Sequence, residues 1–301
     1  MGGATGLAAQ GVAVAGRVLY GRAGRPLARA RVVLHQVSVS GDGGPIDSTR
    51  TDAQGRYTLT IRRPDSTAMY VVSSRHAGIA YFSEPVVPGR PLHALYVFDT
   101  SSAGPAVRVA RRLVTVAKIK RDGSRDVLEL VELENPGTVT RVAADTLRPA
   151  WAGAIPAPAI QFQVGKGDVS PQAVALRGDS VAVFGPIPPG ERKQLSYTYV
   201  LPATAPRFDL PIDQPIAEVD LLLEDTAAVV RAARLDSLGI ERIEGRRFAR
   251  YRTPALAAGA ALAIVFSDRP LTAEALVPFV VGVAALALGI GFVVALRRKP
   301  R

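Results

Sequence analysis

The 301-residue sequence contains no cysteine. Disulfide bonds, thiol catalysis, iron–sulfur clusters and cysteine-ligated zinc are therefore excluded. A folded body without cysteine has to be held together by the burial of apolar side chains. The hydrophobic content of 48% supports packed cores rather than disorder, and the length allows two or three domains.

Residue types that carry out chemistry are also scarce. The three histidines, His35, His76 and His93, lack the close spacing of metal ligands, so surface histidines are favoured over a three-histidine metal site. No GxSxG nucleophile elbow and no HExxH helix occur. The single tryptophan, Trp151, would be a sugar-stacking ligand contact if it were exposed, but a core or hinge position is favoured. The sequence therefore predicts a protein that is not an enzyme and holds no cofactor or metal.

Two acidic patterns have simpler explanations than catalysis or metal binding. The segment 122–126, DGSRD, places oxygen atoms at alternating positions as a Ca²⁺ loop does. A hairpin turn is favoured, because Arg125 opposes a cation and no acidic ligand follows at loop spacing. Glu129, Glu132 and Glu134 lie within and just after one predicted strand, where they are expected to be solvated outward charges.

The net charge of +11 does not by itself indicate nucleic-acid binding. Four positive charges lie in the C-terminal tail 297–301. The arginine pairs at 62–63, 111–112 and 246–247 are far apart, with no interleaved aromatic residues to stack on bases. A solvated surface with some attraction to anionic headgroups or polymers is favoured, and no nucleic-acid partner is expected.

One long stretch, residues 275–296 (ALVPFVVGVAALALGIGFVVAL), contains no charged residue. About 20 apolar residues allow a helix to cross a bilayer, so this stretch predicts a transmembrane helix in contact with membrane lipid. The tail after it is strongly basic, whereas Asp268 and Glu274 outnumber Arg269 before it. The positive-inside bias then places the tail in the cytoplasm and the body outside it. The expected location is a bacterial cytoplasmic (inner) membrane.

The N-terminal residues 1–10 supply only part of an export signal. They lack a basic start and a long apolar core, although Leu7-Ala8-Ala9-Gln10 resembles the end of a signal-peptide cleavage region. They are interpreted as a signal-peptide remnant or a disordered segment. The alternative is a tail-anchored chain with its body in the cytoplasm, which would put the basic tail on the wrong side.

Residues 11–100 have the pattern of a first β-sandwich module. Apolar residues alternate with small or polar ones at 12–19, and 30–34 reads as the next strand. The segment 40–45 is expected to be a loop. Two β-rich runs flank the turn 52–55, where Gly55 can adopt the positive φ that tightens such a turn. A linker is expected at 101–105.

This module resembles a known family. The residues that carry the resemblance are Gly16-Arg17-Val18, then Gly24-Arg25-Pro26-Leu27 with Ala30-Arg31-Val32, and then Thr51-Asp52-Ala53-Gln54-Gly55-Arg56-Tyr57. In this order and spacing they are similar to the carboxypeptidase regulatory-like domain. The resemblance implies a transthyretin-like (prealbumin-like) β-sandwich of about seven strands, usually extracytoplasmic and attached to another part. It implies no catalytic residues.

The remaining body also has a β pattern. Residues 106–202 predict a β-sandwich that resembles an immunoglobulin-like fold, with Leu195, Tyr197, Tyr199 and Leu201 on one strand face. The Pro-rich segment 149–158 is expected to be irregular. Residues 207–270 predict a further β-rich module, in which 255–265 is either a strand or a short helix. One large sandwich over 106–270 is the alternative to two.

The sequence therefore predicts an all-β protein of tandem β-sandwich modules, followed by one C-terminal transmembrane helix. The leading functional hypothesis is a non-enzymatic, single-pass, membrane-anchored envelope protein whose modules act in binding or assembly with another envelope protein. One alternative is an accessory subunit of an envelope enzyme or transport complex. The other is a glycan-binding module that uses Trp151.

Overall fold

The computed structural model describes residues 11–38, 43–87, 90–205 and 207–267. This part of the chain forms β-strands and one short 3-10 helix, without any α-helix, so the predicted all-β class is confirmed. Within it, no helix is long and apolar enough to cross a membrane. The predicted transmembrane helix 275–296, the tail 297–301 and residues 1–10 lie outside the described residues.

The strands are numbered in chain order. The first nine are β1 (Val12–Tyr20), β2 (Arg25–Pro26), β3 (Arg31–Val37), β4 (Gly43–Arg50), β5 (Arg56–Ile61), β6 (Met69–His76), β7 (Ile79–Phe82), β8 (Leu95–Val97) and β9 (Thr100–Ser101). The next eight are β10 (Arg108–Val116), β11 (Arg125–Glu134), β12 (Thr140–Arg141), β13 (Trp151–Ala154), β14 (Ile160–Val164), β15 (Val174–Arg177), β16 (Ser180–Val183) and β17 (Arg192–Leu201). The last six are β18 (Arg207–Asp209), β19 (Val219–Leu223), β20 (Val229–Ala232), β21 (Asp236–Ile243), β22 (Arg246–Thr253) and β23 (Leu262–Val265). The 3-10 helix spans Pro171–Ala173.

The chain divides into two compact units. Unit 1 consists of Met1–Arg111, Val131–Ala154 and Lys166–Leu195, and unit 2 consists of Arg112–Leu130, Ile155–Gly165 and Ser196–Arg301.

Unit 1 begins with two sheets that share one apolar core. One sheet has the order β2-β1-β5, with β8 parallel to β1, and the other has the order β4-β3-β6-β7. Alternation explains the burial: in β5, residues 57, 59 and 61 are buried while 56, 58 and 60 are exposed. The shared core contains Val14, Val18, Val32, Leu34, Tyr57, Leu59, Ile61, Tyr70, Val72, Tyr81, Leu95, Val97 and Phe98. Two smaller sheets of unit 1 have the orders β12-β9 and β13-β16-β15.

The turn at 52–55 links the two sheets of this core, because β4 belongs to one sheet and β5 to the other. The Asp52 carboxylate accepts hydrogen bonds from the Gln54 and Arg56 N–H groups, both at 2.8 Å. Gly55 has a φ of +72°, and a Cβ there would lie 2.5 Å from the Val18 carbonyl oxygen. Only glycine fits both demands.

A second glycine is explained by a tyrosine on the neighbouring strand. Gly16 of β1 lies directly opposite Tyr57 of β5. A Cβ on Gly16 would lie 2.3 Å from the Tyr57 hydroxyl oxygen and 2.6 Å from its Cζ. The Tyr57 ring therefore occupies the space that a side chain on Gly16 would need. The motif residues Gly16 and Tyr57 form one packing pair.

Unit 2 is built on a larger sheet and a smaller one. The larger sheet consists of seven strands in the order β14-β17-β11-β10-β19-β22-β21, in which β10 and β19 are parallel. The smaller sheet has the order β18-β23-β20. Both contribute fully buried apolar residues, among them Val114, Val127, Leu221, Leu223, Phe208, Leu262 and Ile264.

Several expectations from the sequence are corrected by the structure. Strand β4 begins at Gly43, so the expected loop at 40–45 is wrong in its last residues. Strand β13 interrupts the Pro-rich segment that was expected to be irregular, because its four residues contain no proline. The short helix considered for 255–265 does not form; β23 occupies part of that segment. Strand β21 was not anticipated, since seven of its eight residues are exposed and it shows no alternation of buried and exposed positions.

Candidate functional site

Trp151 lies in β13, directly opposite Val183 of β16, and is only 7% exposed. This is the core position that the sequence favoured. The ring does not offer an exposed platform for a sugar.

The three histidines occupy separate hydrogen-bonded positions in unit 1. His35 Nε2 is 2.8 Å from the Ser73 hydroxyl, and His93 Nδ1 is 2.7 Å from a Glu84 carboxylate oxygen. Among the described residues, no group of three or more histidine, aspartate or glutamate side chains could hold a metal ion. Residues 122–124 lie in the turn between β10 and β11, where Asp122 accepts hydrogen bonds from the Ser124 N–H and hydroxyl groups, and Arg125 and Asp126 begin β11.

His76 belongs to a polar cluster at the rim of the first core. Its Nε2 lies 2.9 Å from one Asp99 carboxylate oxygen, and the Tyr20 hydroxyl donates to the other at 2.5 Å. The Tyr20 hydrogen bond, followed by the His76 contact, lowers the pKa of Asp99, and the same Tyr20–Asp99 bond raises the pKa of Tyr20. Arg25 lies over the Tyr20 ring, 5.0 Å from its centre. The cluster ties the ends of β1 and β6 to Asp99, which lies two residues after β8.

Glu129 corrects the expectation of solvated outward glutamates. Its exposed fraction is 0%, and it forms a two-pronged ion pair with Arg112, with N–O distances of 2.6 and 3.1 Å. Tyr197 and Tyr199 donate to the same carboxylate at 3.0 and 2.7 Å. A third Arg112 hydrogen bond reaches the Pro211 carbonyl at 2.8 Å. We call Arg112, Glu129, Tyr197 and Tyr199 the buried network of unit 2.

The electrostatics of the buried network are those of a structural element. Burial is the largest single influence and lowers the pKa of Arg112, but the Glu129 charge, the two tyrosines and the Glu129 hydrogen bond together outweigh it, so the net pKa is raised. Burial and then the Glu129 charge hold the pKa values of Tyr197 and Tyr199 well above the ordinary value. These raised pKa values keep Arg112 charged and the two tyrosines neutral at pH 7, and each of the four residues is at most 4% exposed. The network therefore stabilises the fold and has no open face for a substrate.

The best candidate binding site is a cleft in unit 1 beside β7. The cleft has a volume of about 270 Å³, and all four β7 residues form one wall. We call it the β7 cleft. Its other walls are formed by Asp168, Val169, Ser170, Ala173, Gly185, Pro186, Pro188, Glu191 and Lys193. Phe82, at the end of β7, is 58% exposed, which is a large exposed fraction for an aromatic side chain.

The cleft runs along an edge of a sheet. Within the described part of the chain, β7 pairs with β6 alone. The Ser83 N–H bonds to the Val72 carbonyl at 2.8 Å, which fixes the hydrogen-bonding phase of the antiparallel pair. Because bonded positions alternate, residues 79 and 81 bond to β6, whereas the N–H and C=O groups of Ala80 and Phe82 point away from it.

The wall opposite β7 comes from a segment that cannot form a regular ladder. Residues 185–190 (GPIPPG) include three prolines, which lack the N–H group that a ladder needs. The segment is fixed instead through Ile187. The Ile187 N–H bonds to the Arg141 carbonyl at 2.9 Å, and its carbonyl accepts from Arg141 N–H and from the buried Asn135 side chain at 3.0 and 2.8 Å. The wall is therefore well anchored.

A second cavity of unit 1, of about 340 Å³, shares Glu191 with the β7 cleft. Its other lining residues are Arg22, Tyr96, Phe98, Pro189 and Gly190. The Tyr96 and Phe98 rings are stacked with centres 6.5 Å apart, and Tyr96 is 40% exposed. The segment 185–191 thus contributes lining residues to two small cavities, each with an exposed aromatic side chain.

Comparisons with known proteins add little. No family model matches the sequence, and no curated protein matches it. Among solved structures, a mutant M1 zinc metallopeptidase from Deinococcus radiodurans bound to a Tyr-Ser-Ala substrate is similar with a TM-score of 0.35 and 9% identity, over 53% of this chain and 42% of that one. A mutant two-domain M1 zinc metallopeptidase bound to L-tryptophan has a TM-score of 0.35 and 10% identity, over 56% and 44%. This chain spans less than half of either one, and likeness at this level carries no functional argument.

Proposed function

We propose that the protein is a non-enzymatic, single-pass, membrane-anchored envelope protein whose extracytoplasmic β-sandwich modules bind another envelope protein. In this proposal 11–100 is a prealbumin-like module of the carboxypeptidase regulatory-like type. Residues 106–202 and 207–270 are proposed to form one larger β-rich body rather than two, which the seven-stranded sheet supports because it takes strands from both segments. The helix 275–296 anchors them in a bacterial cytoplasmic membrane, with the tail 297–301 in the cytoplasm.

The β7 cleft is the observation that carries the binding role. Its lining combines proline and aromatic surface with a few charged groups, which is the composition of many protein-recognition sites. Phe82 keeps more than half of its surface exposed at the rim. The exposed Phe82 ring, unlike an isolated surface side chain, lies next to a cleft and offers an apolar contact to a partner that enters it.

Photo-crosslinking in intact cells tests the binding role. A photoreactive phenylalanine analogue replaces Phe82 in the full chain, and the matched control places it at Leu147, which is 79% exposed in the same unit. We expect one dominant crosslinked product at position 82 that position 147 does not give. The same set of products at both positions would contradict a binding site at the cleft.

Protease protection tests the topology. When protease is added to right-side-out vesicles, we expect digestion of the body and survival of a short fragment that contains 275–296. Full protection of the body would reverse the proposed orientation.

A further inference from the structure

We propose that β7 accepts an extended strand of the partner protein, which pairs with the outward main-chain groups of Ala80 and Phe82 and carries a basic side chain toward Asp168. This inference rests on the proposed binding function and specifies its mode. It commits to a segment of another protein as the occupant of the β7 cleft.

Strand β7 itself lacks the residue types and the register irregularity that usually protect a sheet edge. Proteins block such edges with proline, charge, bulges or a covering segment. The edge strand β4 contains Pro45 and a register irregularity, and the edge strand β21 has a register irregularity after Ser237. Strand β7 (IAYF) has no proline, no charged residue and a regular register with β6. Of these three edge strands, β7 is the one whose sequence and register allow another strand to pair with it.

The outward groups of β7 match what one short strand needs. Ala80 and Phe82 each present an N–H donor and a C=O acceptor on the side of β7 that faces away from β6. Main-chain bonds of this kind supply affinity in strand addition, while pockets for alternate side chains supply specificity. Phe82 offers an apolar contact to one such side chain, and the prolines of the opposite wall offer apolar surface along the cleft.

The charges of the cleft favour a cationic partner residue. Glu191 is paired with Lys193 at 2.9 Å, so these two charges offset each other. The exposed Asp168 accepts a hydrogen bond from the Gln194 N–H at 2.9 Å and has no ion-pair partner among the described residues. The lining therefore carries one uncompensated negative charge. A lysine or arginine in the incoming strand would pair with it and set the direction and register of binding.

The geometry favours an isolated strand over a second copy of this chain. The anchored wall that carries Pro186 and Pro188 lines the cleft opposite β7. An extended segment fits between the wall and the edge, whereas a sheet of a second copy brings its own neighbouring strands against the wall. Pairing of two β7 edges would also leave Asp168 without a basic partner.

The test uses a displayed library of seven-residue peptides, selected against the full chain in lipid nanodiscs. We expect enrichment of peptides with alternating apolar residues and one lysine or arginine. Backbone N-methylation of a selected peptide should weaken binding at least tenfold at alternate positions and have little effect at the positions between them, since only one set of N–H groups faces β7. Equal effects at all positions, or no enriched peptides, would overturn strand addition.

Two matched substitutions test the charge. Asp168→Asn keeps an oxygen acceptor for the Gln194 N–H, so the wall should remain in place, and we expect a threefold to tenfold loss of affinity together with a weaker salt dependence. Asp179→Asn, at an exposed turn of the same unit, should change neither. Equal effects of the two substitutions would overturn the role of Asp168.

The outcomes separate this inference from the binding role itself. A specific crosslink at position 82 together with peptides that bind without the alternating N-methylation effect would overturn strand addition and leave the binding role standing. Crosslinks at position 82 between two copies of the purified chain would assign the edge to self-association and overturn the inference. Absence of any position-specific crosslink would contradict the proposed function.

Discussion

Buried tyrosines play opposite roles in the two units. In unit 1, Tyr57 is 4% exposed, and its hydroxyl has no hydrogen-bond partner in the described part of the chain. In unit 2, Tyr197 and Tyr199 are 2% and 1% exposed, and both donate to the Glu129 carboxylate. The same residue type on the inner face of a strand thus fills space in one unit and donates hydrogen bonds to a buried carboxylate in the other.

This contrast extends to how each core is specified. The first core of unit 1 consists of apolar and aromatic side chains, so shape and volume define it. Unit 2 has a buried ion pair whose partners come from β10 and β11. Such a pair adds little net stability compared with an apolar replacement, but it strongly disfavours any pairing that separates the charges. We infer that unit 2 uses charge to fix the alignment of β10, β11 and β17.

Breaking one side of the ion pair should have the largest effect. Arg112→Met leaves the Glu129 carboxylate buried beside two hydroxyl groups, and we expect a loss of about 3–5 kcal/mol in the free energy of unfolding. Urea unfolding of the full chain in mild detergent measures it by circular dichroism. Trp151, the only tryptophan, lies in unit 1 and reports by fluorescence on that unit. A loss below about 1 kcal/mol would contradict a buried charged Glu129.

The matched control removes the whole network. Arg112→Met with Glu129→Leu, Tyr197→Phe and Tyr199→Phe leaves no charged or hydroxyl group of the network behind. We expect this variant to recover most of the stability lost by Arg112→Met alone, because buried ion pairs can be exchanged for apolar groups at little cost.

In unit 1, the corresponding test is steric. Gly16→Ala places a methyl group within 2.6 Å of the Tyr57 ring, so the ring has to move out of a packed core. We expect a loss of about 1–3 kcal/mol, measured by the Trp151 fluorescence transition. Gly44→Ala is the matched control, since a Cβ at Gly44 of β4 meets nothing within 4 Å. Equal stability of the two variants would contradict the packing pair.

The third prediction applies one substitution to both units. Tyr57→Phe removes a buried hydroxyl without a partner, so we expect a gain of about 1 kcal/mol in the free energy of unfolding. Tyr199→Phe removes a donor from a buried carboxylate, so we expect a loss of about 1–2 kcal/mol. Paired urea titrations at pH 7 measure the difference. If both substitutions changed the free energy of unfolding in the same direction, the proposed contrast between the buried tyrosines of the two units would be wrong.

The pH dependence of stability above pH 9 gives a second test of the buried Tyr57 hydroxyl. Burial raises the pKa of Tyr57 to about 12, from an ordinary value of 10.0. The folded state therefore favours the neutral phenol. The resulting contribution to the free energy of unfolding is complete below pH 10 and is lost as the pH rises from 10 toward 12. The advantage of Tyr57→Phe over the parent should grow over that range. An unchanged difference between pH 9 and pH 12 would contradict the buried phenol.

The sequence contained the signal for the buried network. Glu129 is two residues from both Val127 and Val131, so strict alternation places all three on one strand face. Arg112 likewise shares a face with Val114 and Val116 of β10. Because Glu129 and Arg112 are charged, they were expected to point outward. The alternation of buried and exposed positions along β10 and β11 instead places both side chains inward. The alternation at 193–201 was interpreted correctly, because residue type and spacing both place Leu195, Tyr197, Tyr199 and Leu201 on the inward face.

The β7 cleft could not be anticipated in this way. Its two walls, at 79–82 and 168–193, are about 90 residues apart in the sequence, and alternation gives no information on which strands become neighbours. Free edges follow from the strand order, and the strand order follows from the packing of the whole unit. The all-β class was predictable from local patterns, whereas the site depends on non-local pairing.

The smallest expected effect concerns a surface ion pair of unit 2, which contrasts with its buried one. Arg246 donates two hydrogen bonds to Glu224, and the Lys118 N–H donates to the same carboxylate at 2.6 Å. The Arg246 bonds are the main cause of the lowered pKa of Glu224. A lowered folded pKa means that the stabilisation is present above the ordinary pKa of 4.5 and is lost as the pH falls through the folded value.

Glu224→Gln should therefore cost about 0.5–1 kcal/mol at pH 7, the scale of a well-formed surface pair. The difference from the parent should shrink as the pH falls below 4.5, because the parent then loses the same charge. Arg246→Gln, which removes the other partner, should reproduce this pH dependence. Urea titrations between pH 7 and pH 3 measure both variants. If the difference in the free energy of unfolding between each variant and the parent stayed constant over that range, the Glu224 charge would not stabilise unit 2. Of the two ion pairs compared, only the buried one would then contribute to stability.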